Sequence, residues 1–173
     1  MIGDFDSLRF GNIGSRWLPV TLTAVMILSL VVWLLRALHE AQEMAEKTVI
    51  EVTVRNMRIG MQLAIGEAMM HGREAEIRNW AGSNPLQWLG VVPEGYRGEC
   101  TAAESDALPA GDWCFDRQRR ELAYAPRNAT HLKLRSGSDL PHLRWRVVAV
   151  APQENGQTGL RVENVTPYEW FLE

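Results

Sequence analysis

Ser138, Asp139 and His142 bring a hydroxyl, an acid and a base into one five-residue stretch, the residue types of nucleophilic catalysis. In hydrolases such groups converge from separate elements, and side chains this close along the chain rarely reach the mutual geometry the reaction needs. The trio therefore reads as a turn, and no enzymatic activity is expected. His39, His71 and His131 are scattered, and no histidine stands at ligand spacing from a cysteine, so neither a metal nor another cofactor is expected. Asn128-Ala129-Thr130 and Asn164-Val165-Thr166 fit the glycosylation acceptor pattern, which matters only in a compartment holding the transferase. Arg117, Arg119 and Arg120 crowd positive charge into one short turn, where a solvated hairpin tip is the simpler alternative to an acidic partner.

The two cysteines carry the more informative chemistry. Cys100 lies in a loop-like stretch and Cys114 in a strand-like one, a pairing that suits a disulfide in an oxidising compartment. A bridge closing a loop of that length is worth about 3 kcal/mol. The alternative is two thiols, Cys114 buried in a sheet and Cys100 free. Net charge is -3 with a pI near 5.8, and no long run of Lys or Arg occurs, so nothing calls for nucleic acid.

The element that positions everything else is the stretch from Trp17 to Leu35. It has no charged side chain and is bounded by Arg16 and Arg36. As a helix it reaches roughly 28 Å, near the thickness of a bilayer's hydrocarbon core. A signal peptide has a shorter apolar core and a small-x-small cleavage site, whereas this stretch runs into Leu38-His39-Glu40. A retained membrane anchor over 17–36 is therefore expected, with Trp17 and Trp33 at the headgroup levels and Pro19 in the first turn. Residues 1–16 read as a short disordered tail. Arg9 and Arg16 before the span balance Arg36 and Lys47 after it, so orientation rests on the cysteines, which favour a cytoplasmic tail and a domain on the oxidising side.

The helical pattern continues over 37–72. Leu38, Ala41, Ala45, Val49, Val52, Ile59, Leu63 and Met70 share one face, interrupted by Asn56, with Glu40, Lys47, Glu51 and Arg58 forming a polar stripe. A second apolar set, Ile50, Val54, Met57, Met61 and Ile65, lies beyond that stripe. A helix with two apolar faces calls for two partners, its own domain's sheet and a neighbouring protein, and the second set is assigned to the neighbour; the alternative is a small domain that wraps most of the helix. Gly60 and Gly66 each cost about 1 kcal/mol inside a helix, and Gly72 is a suitable end.

Residues 73–173 form one small domain with long loops. The segment from Gly82 to Gly98 reads as a loop holding large apolar side chains, and Thr101 to Pro109 as exposed chain. Beyond Asp112 the period becomes two. Trp113–Asp116 and Glu121–Tyr124 form a hairpin, His131–Arg135 and Leu143–Ala151 further strands, and Leu160–Val165 the last. The uniformly apolar end of the long strand, Val147 to Val150, predicts a central or covered position. The class is α+β, a long N-terminal helix packed on a small antiparallel sheet.

One apolar N-terminal helix continuing into a domain helix, followed by a small antiparallel sheet, resembles the type IV pilins and pseudopilins. Asn84-Pro85-Leu86-Gln87-Trp88-Leu89, Pro93-Glu94-Gly95-Tyr96-Arg97-Gly98, Gly111-Asp112-Trp113-Cys114-Phe115-Asp116 and Glu121-Leu122-Ala123-Tyr124-Ala125-Pro126 are similar to pieces of pilin-like biogenesis proteins, among them those of the mannose-sensitive haemagglutinin (MSHA) pilus. The resemblance spans about Trp17 to Pro167 and implies a hairpin built on Trp113, Asp116, Leu122 and Tyr124. It also implies a non-enzymatic accessory or minor subunit of a type IV pilus or type II secretion machine in a bacterial inner membrane, partnered by pilins or assembly proteins. Gly14-Ser15-Arg16-Trp17-Leu18-Pro19 lacks the Phe-Thr-Leu-Ile-Glu run of a prepilin and the span has no Glu, which points to an accessory rather than a major pilin. The competing reading is a bitopic inner-membrane sensor with a periplasmic ligand-binding domain.

Overall fold

The computed structural model describes residues 13–135, 142–150 and 159–171 of the 173. The expected N-terminal tail falls almost wholly outside these residues, as do Ser138 and Asp139. Two compact units divide the chain, Met1–Ala41 and Gln42–Glu173.

The first unit contains the start of helix α1 (Ile13–Met70). From Trp17 to Leu35 its large apolar side chains are exposed, Leu22 and Trp33 by 66% and 69%, and the helix is long and apolar enough to cross a membrane. Because α1 begins at Ile13, Pro19 lies inside the helix rather than in its first turn. The hydroxyls of Thr21 and Thr23 donate to the carbonyls of Leu18 and Val20, both at 2.9 Å, so these polar side chains are satisfied within the helix itself.

The second unit is built on the remainder of α1, which ends in a Schellman motif. Gly72 takes φ +68°, Arg73 N–H donates to the Ala68 carbonyl at 2.8 Å, and Gly72 N–H donates to that of Met69 at 3.1 Å. A short helix α2 (Glu74–Ile77) follows, then 3-10 turns at Arg78–Trp80 and Pro85–Trp88. Five strands make the main sheet: β1 (Tyr96–Cys100), β2 (Trp113–Asp116), β3 (Glu121–Tyr124), β5 (Leu143–Val150) and β6 (Gly159–Asn164), in the order β1-β2-β3-β5-β6. A separate antiparallel pair joins β4 (Leu132–Leu134) to β7 (Tyr168–Trp170).

The α+β class stands, but the sheet is mixed. β1 pairs parallel with β2, and the crossover between them holds helix α3 (Ala102–Asp106). The glycine-rich sequence reads as loop because Gly95 and Gly98 hide this five-residue strand. Thr101 and Glu104 likewise form a reciprocal capping box, which turns the expected exposed chain into a helix with Ser105 buried.

The alternation of strand side chains settles where the core lies. Trp113, Phe115, Leu122, Tyr124, Leu143, Trp145, Val147, Leu160 and Val162 occupy one sheet face, with Trp113 stacked on Trp145 at 5.6 Å between ring centres. Against this face α1 lays Ile50, Val54, Met57, Met61 and Ile65, all buried. These residues therefore belong to the domain's own core and are not the partner face assigned to them. Helical periodicity alone distinguishes two apolar faces but cannot say which of them the sheet takes. On the opposite sheet face a second cluster, Leu108, Cys114, Ala123 and Ala125, covers β2 and β3. β5 is central by pairing, yet Val150 at its end is 38% exposed, so that end is not covered.

Gly60 marks the closest approach between α1 and a loop. A Cβ added there would stand 2.3 Å from the Trp88 carbonyl oxygen. Gly60→Ala will therefore lower stability by about 1–3 kcal/mol despite alanine's better helix propensity. A thermal melt beside Gly66→Ala, which has open space around it, checks this.

Candidate functional site

The first two turns of α1 within the second unit carry carboxylates that seize the far end of the chain. Glu43 is 0% exposed, and its seven-residue offset from Ile50 puts it on the helix's core face. Its Oε1 accepts from His131 N–H at 2.9 Å and from the Trp170 indole N–H at 2.8 Å, while Oε2 pairs with His131 Nδ1 at 2.8 Å. An ionised carboxylate only accepts, so Nδ1 carries the proton in this pair. Burial pushes the Glu43 carboxyl up, but the backbone and ring hydrogen bonds from His131 and that from Trp170 outweigh it, and the group is held below its ordinary value.

Glu46 makes the second clasp. Its Oε1 accepts from the Tyr124 hydroxyl at 2.7 Å and Arg127 N–H at 2.6 Å, and its Oε2 from Asn128 N–H at 3.1 Å. Burial first, and then the adjacent Glu46, push the Tyr124 hydroxyl up. Together the two carboxylates hold the helix to the end of β3, the loop before β4, and β7. Beside Glu46 opens a cleft of about 470 Å³, walled by Gln42 and Val49 on the helix and by Pro93, Glu94, Arg127 and Asn128 on loops.

On the other sheet face lies a charged network. Asp106 accepts from Arg119 at 2.7 and 2.8 Å and from Arg144 at 2.7 Å, and Glu121 pairs with Arg144 and Arg146. The hydrogen bond from Arg119, together with the charges of Arg119 and Arg144, holds the Asp106 carboxyl below its ordinary value. The arginine turn is thus partly engaged, Arg119 with Asp106 and Arg117 with Glu99, rather than a wholly solvated tip. His142 sits buried at the start of β5, and burial followed by the Arg144 charge pushes its imidazole down, favouring the neutral form.

Cys100 and Cys114 form a disulfide joining β1 to β2, with 5.9 Å between Cα atoms, and no described cysteine is free. The hairpin pairs Trp113 with Tyr124, Phe115 with Leu122 and Asp116 with Glu121. Each hairpin residue has a distinct task. Trp113 and Leu122 enter the core, Tyr124 reaches Glu46, and Asp116 caps the turn by accepting from the backbone of Gln118 and Arg119 at 2.8 and 3.0 Å. Among the described residues no three His, Cys, Asp or Glu side chains converge as a metal site.

Glu43 and Glu46 escaped sequence reasoning, though a signal was present. The core face beginning at Ile50 extends back by seven residues to Glu43, and an acid on an apolar face demands buried donors. What remains without a partner in this unit is the opposite helix face: Val49, Ile59, Leu63 and Met70 are exposed by 60%, 51%, 70% and 81%. The arrangement holds helix and sheet together as one body and leaves one helix face and the cleft beside Glu46 open. No family model, curated protein or solved structure matches this chain.

Proposed function

We propose that this protein is a membrane-anchored, non-enzymatic accessory or minor pilin-like subunit of a type IV pilus, of MSHA type, or of a type II secretion assembly. The observation that carries the reading is the use of α1, whose first part is exposed and apolar and whose later part is the spine of a disulfide-bearing sheet domain. A disulfide between β1 and β2 persists in the bacterial periplasm and is disfavoured in the cytoplasm, which supports an inner-membrane anchor with the domain outside and the N-terminus inside. Work by such a subunit is assembly: the bilayer fixes partners in one plane, and helix packing in the span together with surface contact outside it sets specificity. The cleft beside Glu46 favours one other reading, a bitopic sensor that takes a small ligand there.

Photo-crosslinking in cells from Leu28 in the span and from Val91, 84% exposed on a loop, separates the two. Capture of pilins or of inner-membrane assembly proteins, identified by mass spectrometry, is the expected result. Adducts confined to this chain and its own copies would move the assignment to the sensor.

A further inference from the structure

The exposed face of α1 has a finer pattern than amphipathicity requires. Ala45, Val49, Val52, Asn56, Ile59, Leu63, Gly66 and Met70 follow one another at alternating steps of four and three. This is the a/d spacing of a heptad repeat, with Val49, Asn56, Leu63 and Met70 at a and the others at d. A helix that only needs to cover a sheet keeps a broader stripe of period 3.6. Here the sheet-facing residues Ile50, Val54, Met57 and Met61 fall at b and f, on the opposite side of the helix. The a/d seam is left facing outward, its first two positions, Ala45 and Val49, also bordering the cleft beside Glu46.

We propose that this seam packs against the same seam of a second copy, as a parallel two-stranded coiled coil. Asn56 identifies the occupant. An amide in the middle of an apolar stripe is a loss against lipid or an apolar partner, but at an a position of a parallel pair it meets its own copy across the axis, amide to amide, and fixes register. Parallel orientation rests on the membrane-anchored reading above, because two copies inserted the same way point the same way.

The flanks of the seam are compatible with this symmetry. The e positions Glu46, Thr53 and Gly60 are half-buried, Glu46 against Arg127 and Asn128 and Gly60 against Trp88, whereas the g positions Arg55 and Gln62 are exposed. In a parallel pair each e side meets the partner's open g side, so the two sheet domains fall on opposite sides of the axis. The seam over Gln42–Met70 is roughly 43 Å long and 10 Å wide, a footprint on the order of 450 Å² per copy. That is well under the roughly 800 Å² per partner of a standard stable interface. The pair is therefore a weak associate in dilute solution and a substantial one where the membrane confines both copies.

The native disulfide leaves no described cysteine free, so one introduced thiol reports alone. In membranes holding the full chain, oxidative coupling from Val49→Cys, Val52→Cys, Ile59→Cys and Leu63→Cys should exceed that from Glu51→Cys and Arg58→Cys by about fivefold or more. Adding Leu63→Glu should lower coupling at Val52→Cys by about tenfold while the thermal melt of the domain is unchanged. Even coupling at all six positions, or coupling untouched by Leu63→Glu, overturns the proposal. Alkaline carbonate washing of the same membranes tests the anchor separately. A chain that washes off yet couples with the heptad pattern refutes the anchor and keeps the seam; a chain that stays and couples evenly refutes the seam and keeps the anchor.

Discussion

Met61→Lys will abolish the cooperative melt of the domain, whereas Leu63→Lys, two residues further along the same helix, will leave it in place. Met61 is 1% exposed and packed into the main core, while Leu63 is 70% exposed on the opposite side. Lysine at 61 would strand an ammonium in a core of Trp, Leu and Val side chains. The expected loss is more than about 4 kcal/mol, a large part of the 5–15 kcal/mol that holds a domain together. Circular dichroism melts of the full chain in detergent, with both variants beside wild type, decide it. An intact, cooperative melt for Met61→Lys would mean that the two helix faces are exchanged and that the core face is the one open to partners.

Glu43→Ala will cost about 3–5 kcal/mol, because three donors lose an acceptor that is itself fully buried. For a domain of this size that is a fall in Tm of about 10–20 °C. Glu43→Gln keeps an acceptor oxygen for His131 N–H and the Trp170 indole and should lose about half as much, since a neutral amide accepts more weakly than a carboxylate. Acid should narrow the gap between Glu43→Gln and wild type. The folded-state carboxyl is held below its ordinary value of 4.5, so its contribution is complete above that pH and is lost as pH falls through the depressed folded value. Asp106, also depressed, acts with the same sign. Melts at pH 7 and pH 3.5 check this, and a Glu43→Gln deficit of equal size at both would rule out an ionised carboxylate.

The parts of this fold written in local pattern were legible. The uncharged run from Trp17 to Leu35 announces a helix that can cross a membrane, strict alternation in Leu143–Val147 announces a half-covered strand, and Gly72 ends α1 where a left-handed residue is needed. What stayed hidden depends on distance along the chain. β1 is held by a parallel partner beyond a crossover, and its glycines mask its β character. Which face of α1 meets the sheet is equally non-local, because both faces are apolar and only the strands decide between them. Glu43 looked like one more acid on a charged helix until Trp170 and His131 were seen to end on it. The hairpin lay between these cases: its alternation was readable, but the reach of Tyr124 to Glu46 was not.

That clasp has a consequence for how the protein is made. Glu43 precedes its partner Trp170 by 127 residues, so on a ribosome the acid is synthesised first and waits through nearly the whole domain for its last donor. Until β7 emerges the carboxylate has only His131 to accept from, and the helix seats its first core turn with one of three donors missing. Completion of the domain is thereby tied to synthesis of its final strand. A chain stopped at Pro167 would keep the sheet's five strands and the disulfide, yet would lack one of the three donors that hold Glu43 in place. A product missing its last few residues is held less firmly along the first core turns of α1, and a loosened apolar helix is what proteases and chaperones recognise.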